Sequence, residues 1–210
     1  MPKQDTRTRI LLTSLQLFNE FGEPNTTTND IADATDISPG NLHYHFRRKS
    51  DLIDGLLAEF QADARSLLVA PNEANNAIDE FWGFIHLLLE TLAAYRFLYR
   101  DIETLRAAYP QVARAQSGFS KALLGSTELH IRSLRSSGVL QISDSEVGDV
   151  CRNLVVVALF SERFDTMSGR AAAADVTALR IARAVLSIIL PYATVAATPL
   201  LQALTEQYRN

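Results

Sequence analysis

The chain has 210 residues, of which 47% are hydrophobic, so it can bury a substantial core in one large or two small domains. Its net charge of -4 argues weakly against a nucleic-acid partner, and the first 65 residues hold seven Lys or Arg against ten Asp or Glu. A duplex responds to the local field, however, and six of these cations form two clusters: Lys3, Arg7 and Arg9, and Arg47, Arg48 and Lys49. The first cluster is also consistent with a solvated helix face.

The sequence predicts a cytoplasmic protein without a membrane anchor. Cys151 is the only cysteine, so no intrachain disulfide can form, and its apolar surroundings favour a buried side chain over a reactive thiol. The N-terminal MPKQDTRTR lacks the apolar core of a signal peptide. The longest apolar runs, near 154–160 and 184–190, are shorter than the roughly 18 residues that a membrane helix needs.

The first predicted helix spans about Thr6 to Phe21, with Leu11, Leu15 and Phe18 on one face and a glycine as its stop. We expect it to pack over the two short helices that follow.

The first of these short helices begins at Thr27, where Thr27 and Asp30 form a T-x-x-D capping box. Ile31 and Ala34 are predicted to share its apolar face. The segment from Thr35 to Ile37 leaves room only for a turn, and Ile37 is expected to fix the angle between the two helices.

The second short helix begins at Ser38 and Pro39, a hydroxyl cap followed by a proline at the first helical position. Leu42 and Phe46 give it an apolar stripe. Its outer face carries polar and aromatic groups, namely Asn41, His43, Tyr44 and His45. Cations follow at once, and cations beside a polar helix face are the arrangement expected of a DNA-reading helix. The alternative is an ordinary helical hairpin in which RRK is a solvated helix start, but the cap, turn and cations in this order favour DNA binding.

The run from Arg7 to about Leu57 contains LFNEFG, TTTNDIADATDIS and GNLHYHFRRKSDL. This run resembles the N-terminal domain of the TetR family of bacterial transcriptional repressors. The resemblance covers about a quarter of the chain and is specific, because the spacing, the turn and the L-x-Y/H-x-F-x-x-K ending match together. It implies a three-helix DNA-binding head, an all-α ligand-binding body and a homodimer.

Carried onto this sequence, the resemblance implies DNA-binding residues in and around the two short helices. The implied phosphate contacts are Thr27, Thr28, His45 and Lys49. The implied base or groove contacts are Asn29, Pro39, Gly40, Asn41, His43 and Tyr44, and Ser38 completes the predicted DNA-binding set. The family usually has Tyr at the position of His43, which leaves the base or phosphate role of this residue open. It usually has a small capping residue at the position of Arg48, so the fourth helix could begin at Ser50 instead of Lys49.

The fourth helix, about Lys49 to Leu68, carries Leu52, Leu56 and Phe60 on one face and is predicted to join head and body. Further helices are predicted near Ala74–Tyr95, Arg96–Ala108, Val112–Ser136, Ser145–Ser168, Ala172–Pro191 and Pro199–Arg209. No long stretch alternates with the period of a strand. The fold class is therefore all-α with about nine or ten helices, divided into a DNA-binding domain (1–50) and an effector-binding and dimerisation domain (51–210).

The body offers candidates for two further sites. The candidates for an effector pocket are His86, Tyr99, Arg100 and Phe119, although for His86 and the aromatic residues a place in the core is an alternative. The two long C-terminal helices are predicted to form a four-helix bundle across a two-fold axis, through Leu154, Ala158, Leu159, Leu179, Ala182, Leu186 and Leu190. The alternative is that these residues face the core of their own chain.

Catalysis is not supported by the sequence. A metal enzyme built from a helical bundle needs E-x-x-H pairs, and no histidine of this chain has Glu three residues before it. P-loop, nucleophile-elbow and Rossmann glycine patterns are missing as well. We therefore expect no enzyme, no metal and no cofactor.

The sequence predicts a ligand-responsive transcriptional regulator, most simply a repressor. Its expected partners are a near-palindromic operator in double-stranded DNA, a second copy of the chain, and an apolar or amphipathic small-molecule effector of unknown identity. An activator, or a structural DNA-binding protein without an effector, is the alternative.

Overall fold

The computed structural model describes residues 5–72 and 75–207, and the elements in these ranges are helices. They are α1 Thr6–Phe21, α2 Thr28–Thr35, α3 Pro39–His45, α4 Lys49–Leu67, α5 Ala77–Ala94, α6 Phe97–Arg100, α7 Ile102–Ala108, α8 Pro110–Ser136, α9 Asp144–Met167, α10 Ala174–Ile189, a 3-10 turn Leu190–Tyr192, and α11 Thr198–Gln207. Within the described ranges the extended pairing is a single bridge between Leu140 and Ala193. The prediction of an all-α fold is confirmed.

The described residues form 11 α-helices rather than the predicted nine or ten, because the segment Arg96–Ala108 holds two helices. The backbone leaves the helical region at Asp101 (φ -104°, ψ 33°), between α6 and α7. Apart from two ends, the other predicted helices begin and end within a few residues of the observed ones. The two ends, the predicted start of α5 at Ala74 and the predicted end of the last helix at Arg209, lie outside the described residues.

The contacts divide the chain into two compact units. The first unit contains the chain up to Asp63 together with Ala94–Ser117, and the second contains Ala64–Ala93 together with the chain from Gly118 onward. The first unit thus combines the three N-terminal helices and most of α4 with α6, α7 and the beginning of α8. The predicted functional division at residue 50 stays a prediction.

In the first unit, α1 buries Ile10, Leu11, Ser14 and Phe18, whereas Leu15 is only half-buried. The prediction is therefore confirmed for Leu11 and Phe18, whereas the buried face includes Ile10 and Ser14 in place of Leu15. Gly22 ends α1 as predicted, with a φ of 93°, a region that L side chains rarely adopt.

The beginning of α4 continues the core of the first unit. Leu52, Leu56 and Phe60 are fully buried, as predicted. The helix begins at Lys49 rather than at Ser50, because the carboxylate of Asp51 accepts a hydrogen bond of 2.9 Å from the backbone N–H of Arg48. The Asp51 side chain, in the first turn of α4, thus provides the cap that the family usually obtains from a small residue at the position of Arg48.

In the second unit, α9 and α10 pack against each other, and this corrects the predicted dimer seam. Leu154, Ala158 and Leu159 of α9 are at most 7% exposed, and Ala182 and Leu186 of α10 at most 2%. These five side chains therefore belong to the core of their own chain and are not available to a partner subunit. Of the predicted set, Leu179 (37% exposed) and the half-buried Leu190 remain accessible.

Two local features of the second unit are a helix cap and a buried cysteine. Ser143 and Glu146 form a capping box at the start of α9. Cys151 is buried, and burial raises the pKa of its thiol to about 11, as expected for a core residue rather than a nucleophile. Among the described residues, no helix is both long enough and apolar enough to span a membrane.

Candidate nucleic-acid interface

The helix α2 is fixed by the predicted capping box. The Thr27 hydroxyl accepts a hydrogen bond of 3.2 Å from the backbone N–H of Asp30, and the Asp30 carboxylate accepts one of 2.7 Å from the backbone N–H of Thr27. The backbone N–H and the hydroxyl of Thr27 both donate to the Asp30 carboxylate and lower the pKa of this exposed side chain. Because α2 has only eight residues, its stability depends strongly on this cap.

The buried face of α2 differs from the prediction. Ile31 and Ala32 are completely buried, together with Thr35, while Ala34 is exposed. A threonine fits this buried position because its hydroxyl donates a hydrogen bond of 2.6 Å to the carbonyl of Ile31 within the same helix. The prediction placed Ala34 on the buried face because it is apolar. It missed Thr35, a polar side chain whose hydroxyl is hydrogen-bonded within its own helix.

The turn between α2 and α3 is built from Asp36 and Ile37. Asp36 adopts a left-handed conformation with φ 55° and ψ 51°, which Asp tolerates better than most L residues. The N–H of Ile37 donates to the carbonyl of Ala32 at 3.1 Å, and the Ile37 side chain is half-buried. The turn thus fixes the direction in which α3 leaves α2.

The helix α3 is held at its start and on its inner face. The Ser38 hydroxyl accepts a hydrogen bond of 3.2 Å from the N–H of Asn41, and Pro39 occupies the first helical position. Leu42 and Phe46 are 1% and 2% exposed and form its anchors. The predicted cap, proline and apolar stripe are all confirmed.

The outer face of α3 presents polar and aromatic side chains to solvent. Tyr44 is 83% exposed, and its ring meets His45 edge-on with the ring centres 5.2 Å apart. The exposed residues of the predicted DNA-binding set are Thr27, Asn29, Ser38, Pro39, Gly40, Asn41, His43 and Tyr44, and the half-buried ones are Thr28, His45 and Lys49. The structure therefore brings this set together on and beside α2 and α3.

The cations near α3 differ in their surroundings. Arg47 and Arg48 are exposed. The guanidinium of Arg7 lies over the ring of Phe46, 4.9 Å from its centre, and thereby places one cation of the N-terminal cluster beside the end of α3. Lys49 is bonded within the chain, because its ammonium lies 2.7 Å from the carboxylate of Glu23.

The four predicted effector residues do not share one environment. Tyr99 and Arg100 belong to the first unit, where Tyr99 lies against Phe60 and the guanidinium of Arg100 donates to backbone carbonyls at the end of α1. Arg100 thus acts as a helix cap. In the second unit, Phe119 is buried, but His86 is exposed and meets Trp82 edge-on, which corrects its expected place in a cavity or core.

Among the described residues, sequence reasoning missed two buried groups that can carry a charge, Glu23 and His130. Glu23 is 4% exposed in the first unit, and its bonding partners lie 26 and 86 residues away, so no local pattern marks it. His130 is 4% exposed in the second unit, with its ring stacked on Phe84 at a centre distance of 4.3 Å. Burial lowers the pKa of His130 to about 4, so it is neutral at pH 7. In the described part of the chain, no group of three or more His, Cys, Asp or Glu could hold a metal ion.

Comparisons with known proteins agree with this geometry. Residues 10–56 match the model of the N-terminal domain described as bacterial regulatory proteins of the tetR family, and residues 59–200 match the TetR model described as bacterial transcriptional repressor. The chain is similar to the HTH-type transcriptional regulator UidR of Escherichia coli K12, with 32% identity over 110 residues that cover 52% of this chain and 56% of that protein. The chain therefore spans about half the length of this curated relative.

A further relative is the HTH-type transcriptional repressor KstR2 of Rhodococcus jostii RHA1, with 41% identity over 61 residues, which cover 29% of this chain and 30% of that protein. Among solved structures, a TetR-family transcriptional regulator from Marinobacter aquaeolei VT8 is 31% identical with a TM-score of 0.88. This similarity covers 99% of the present chain and 100% of the other.

Proposed function

Because this chain belongs to the TetR family of bacterial transcriptional regulators, we propose that it binds operator DNA through α3 and represses transcription. The exposed face of α3 carries this proposal. Asn41, His43 and Tyr44 project from a helix that Leu42 and Phe46 hold in place. A tyrosine that is 83% exposed contributes little to folding, whereas amide, imidazole and phenol groups can read base edges in the major groove.

The beginning of α2 and the cations after α3 are proposed to hold the DNA backbone. Thr28 and Asn29 occupy the first turn of α2, whose N–H groups and dipole favour an anion. The hydroxyl of Thr27 already serves the capping box, so its contribution to phosphate binding is to orient this turn. Arg47 and Arg48 follow the end of α3, are exposed and supply positive charge.

A homodimer is proposed to present two copies of α3 to the operator. The helix α9 carries a second apolar stripe, which is exposed: Val156 is 47% exposed, Phe160 37%, Phe164 61% and Met167 79%. These residues recur at spacings of four, four and three, so they share one side of the helix. We propose that this stripe, with Leu179 of α10, packs against its copy in the partner subunit.

The direct test is DNA binding by variants of α3. A duplex selected from a random-sequence pool by the parent protein serves as the operator. Asn41→Ala and His43→Ala are each expected to lose about 1–3 kcal/mol of binding free energy and to relax selectivity at the position that they read. His86→Ala, which removes an exposed histidine of the second unit, is the matched control. Parent-like affinity and selectivity in both α3 variants would reject the assignment.

Release from the operator by an apolar or amphipathic small molecule is a further part of the proposal. Family membership supports it, and a ligand can act only through its different affinity for the DNA-bound and free conformations. Reciprocity then requires that operator DNA weaken ligand binding by the same factor by which the ligand weakens operator binding. If no hydrophobic compound or metabolite in a broad screen altered operator affinity, a structural DNA-binding role without an effector would be favoured.

A further inference from the structure

The first unit contains an ionic cluster in which the buried Glu23 meets the half-buried Lys49 and Tyr109. Glu23 follows the end of α1, and one oxygen of its carboxylate, Oε1, lies 2.7 Å from Nζ of Lys49 and 2.7 Å from the hydroxyl of Tyr109. The Lys49 ammonium also donates to the backbone carbonyl of Glu23 and lies 5.6 Å from the centre of the Phe18 ring. The cluster therefore joins three separate places in the sequence: the loop before α2, the beginning of α4, and the residue that precedes α8.

The Glu23 carboxylate depends on these partners, because its side chain is only 5% exposed to water. A carboxylate removed from water needs a cation and hydrogen-bond donors, and loss of one of them leaves a buried charge poorly compensated. Burial and the hydrogen bond to Glu23 raise the pKa of Tyr109, which keeps its hydroxyl protonated as a donor. If Lys49 moved to a DNA phosphate, Glu23 would lose its cation.

The segment Ala94–Ser117 is also hydrogen-bonded to the end of α1. Arg100 donates to the carbonyl oxygens of Phe18 at 2.9 Å and Asn19 at 2.8 Å. The Asn19 side chain in turn donates to the carbonyl of Ala94 at 2.7 Å and accepts from the N–H of Phe97 at 3.0 Å. These bonds lie within the same compact unit, so the segment and the α1 terminus are tied together immediately before Glu23.

We propose that Lys49 is a positioning residue rather than a phosphate contact, and that the cluster links the segment Ala94–Ser117 to the loop that leads into α2. The cluster sets the position of this loop, and through it the position of α2 and α3. The inference rests on the proposed function, because its effect is measured on operator DNA. It also reassigns the phosphate role that the family resemblance implies for Lys49.

Salt dependence separates the two roles of Lys49. Lys49→Met is expected to weaken binding to the selected operator by about tenfold or more at every salt concentration, with an unchanged slope of log affinity against log salt. Arg47→Met removes an exposed charge two residues away and is expected to lower that slope by about one unit. If Lys49→Met lowered the slope as much as Arg47→Met, or left affinity unchanged, Lys49 would be a phosphate contact or dispensable, and the proposal would be overturned.

The effect of Glu23→Gln on operator affinity distinguishes a positioning role for the cluster from a competing interpretation, in which Glu23 only keeps Lys49 away from DNA. If Glu23 only withheld Lys49 from DNA, the variant would bind the operator more tightly. If the cluster positions the loop, the variant binds less tightly, and Lys49→Met adds little further loss in its background because both substitutions break the same contact. Tighter binding by Glu23→Gln therefore rejects the positioning role.

Tyr109→Phe tests the link without DNA and with minimal disturbance of packing. Amide hydrogen exchange is expected to become faster in residues 22–30, which are about 80 residues away along the chain, because the loop loses its tie to Tyr109. Faster exchange near residue 109 alone would overturn the link. This outcome differs from failure of the proposed function, in which the parent protein selects no DNA sequence.

Discussion

The helix pair α2–α3 and the helix pair α9–α10 expose opposite kinds of surface. Each pair buries an inner apolar stripe. Outside, α3 shows Asn41, His43 and Tyr44, while α9 shows a row of large apolar side chains. Polar groups suited to reading base edges and an apolar stripe suited to packing against its own copy are different surfaces for helices of one chain. What an exposed face carries, more than the period of the helix, indicates the kind of partner that covers it.

The largest expected difference is between the two apolar stripes of α9–α10. Leu186→Glu places a charge at a side chain that is 1% exposed, so we expect a loss of about 3–5 kcal/mol and a largely unfolded protein by circular dichroism. Phe160→Glu changes the exposed stripe and should give a folded monomer in sedimentation at micromolar concentration. A folded Leu186→Glu protein, or a dimeric Phe160→Glu protein, would reverse the assignment of the two stripes.

Acid should affect the second unit through His130. Its pKa of about 4 in the folded protein lies below the ordinary value of 6.5, so the unfolded chain binds more protons between these two values. The free energy of unfolding is therefore expected to decrease as pH falls from about 6.5 to 4, by up to about 3 kcal/mol. His130→Phe should remove this part of the pH dependence in denaturant titrations, and His86→Phe, at an exposed position, should not. The same dependence in both variants would show that another group is responsible.

On α3, Tyr44→Ala is expected to separate binding from stability. Loss of a groove contact should weaken operator binding by about 1–3 kcal/mol, whereas removal of a ring that is 83% exposed should change the free energy of unfolding by less than about 0.5 kcal/mol. Fluorescence anisotropy with the selected operator and thermal unfolding measure the two quantities. A large loss of stability would mean that Tyr44 belongs to the fold rather than to the DNA surface.

The smallest expected effects concern helix caps. Ser38→Ala and Ser143→Ala each remove a hydroxyl cap, and each should cost about 1 kcal/mol of stability. The consequence for DNA binding should differ, because α3 has seven residues and α9 has 24. Only Ser38→Ala is expected to weaken operator binding as well, since it loosens the helix that carries the proposed contacts. Equal losses of affinity would remove this distinction between the two pairs.

Signals that lie within a few residues were predictable from the sequence. The capping box of Thr27, the Ser38-Pro39 start and the anchors Leu42 and Phe46 depend on neighbours along the chain, and the structure confirms each of them. The inner stripe of α9 was harder to assign because the helix has apolar residues on two sides. Periodicity finds such stripes, but only packing determines which one the chain itself buries.

Pairs formed across long sequence distances were not predictable. The Glu23 carboxylate meets Lys49 and Tyr109 only after folding, and no single-sequence pattern connects these positions. The same limit applies to Arg100, which was predicted as a pocket residue from composition and instead caps α1. A long polar side chain can bond to backbone groups of a distant segment, and the sequence around that side chain does not identify this partner.

The most direct measurement is selection of DNA from a random-sequence pool by the parent protein and by the Phe160→Glu variant. If α3 reads the operator and the exposed stripe of α9 forms the dimer, the parent should select a near-palindromic site with half-sites about 34–36 Å apart or a simple multiple of this distance. The monomeric variant should enrich a single half-site weakly, or none. A parent that selects no sequence, or a variant that selects the same palindrome with the same strength, would contradict this mechanism.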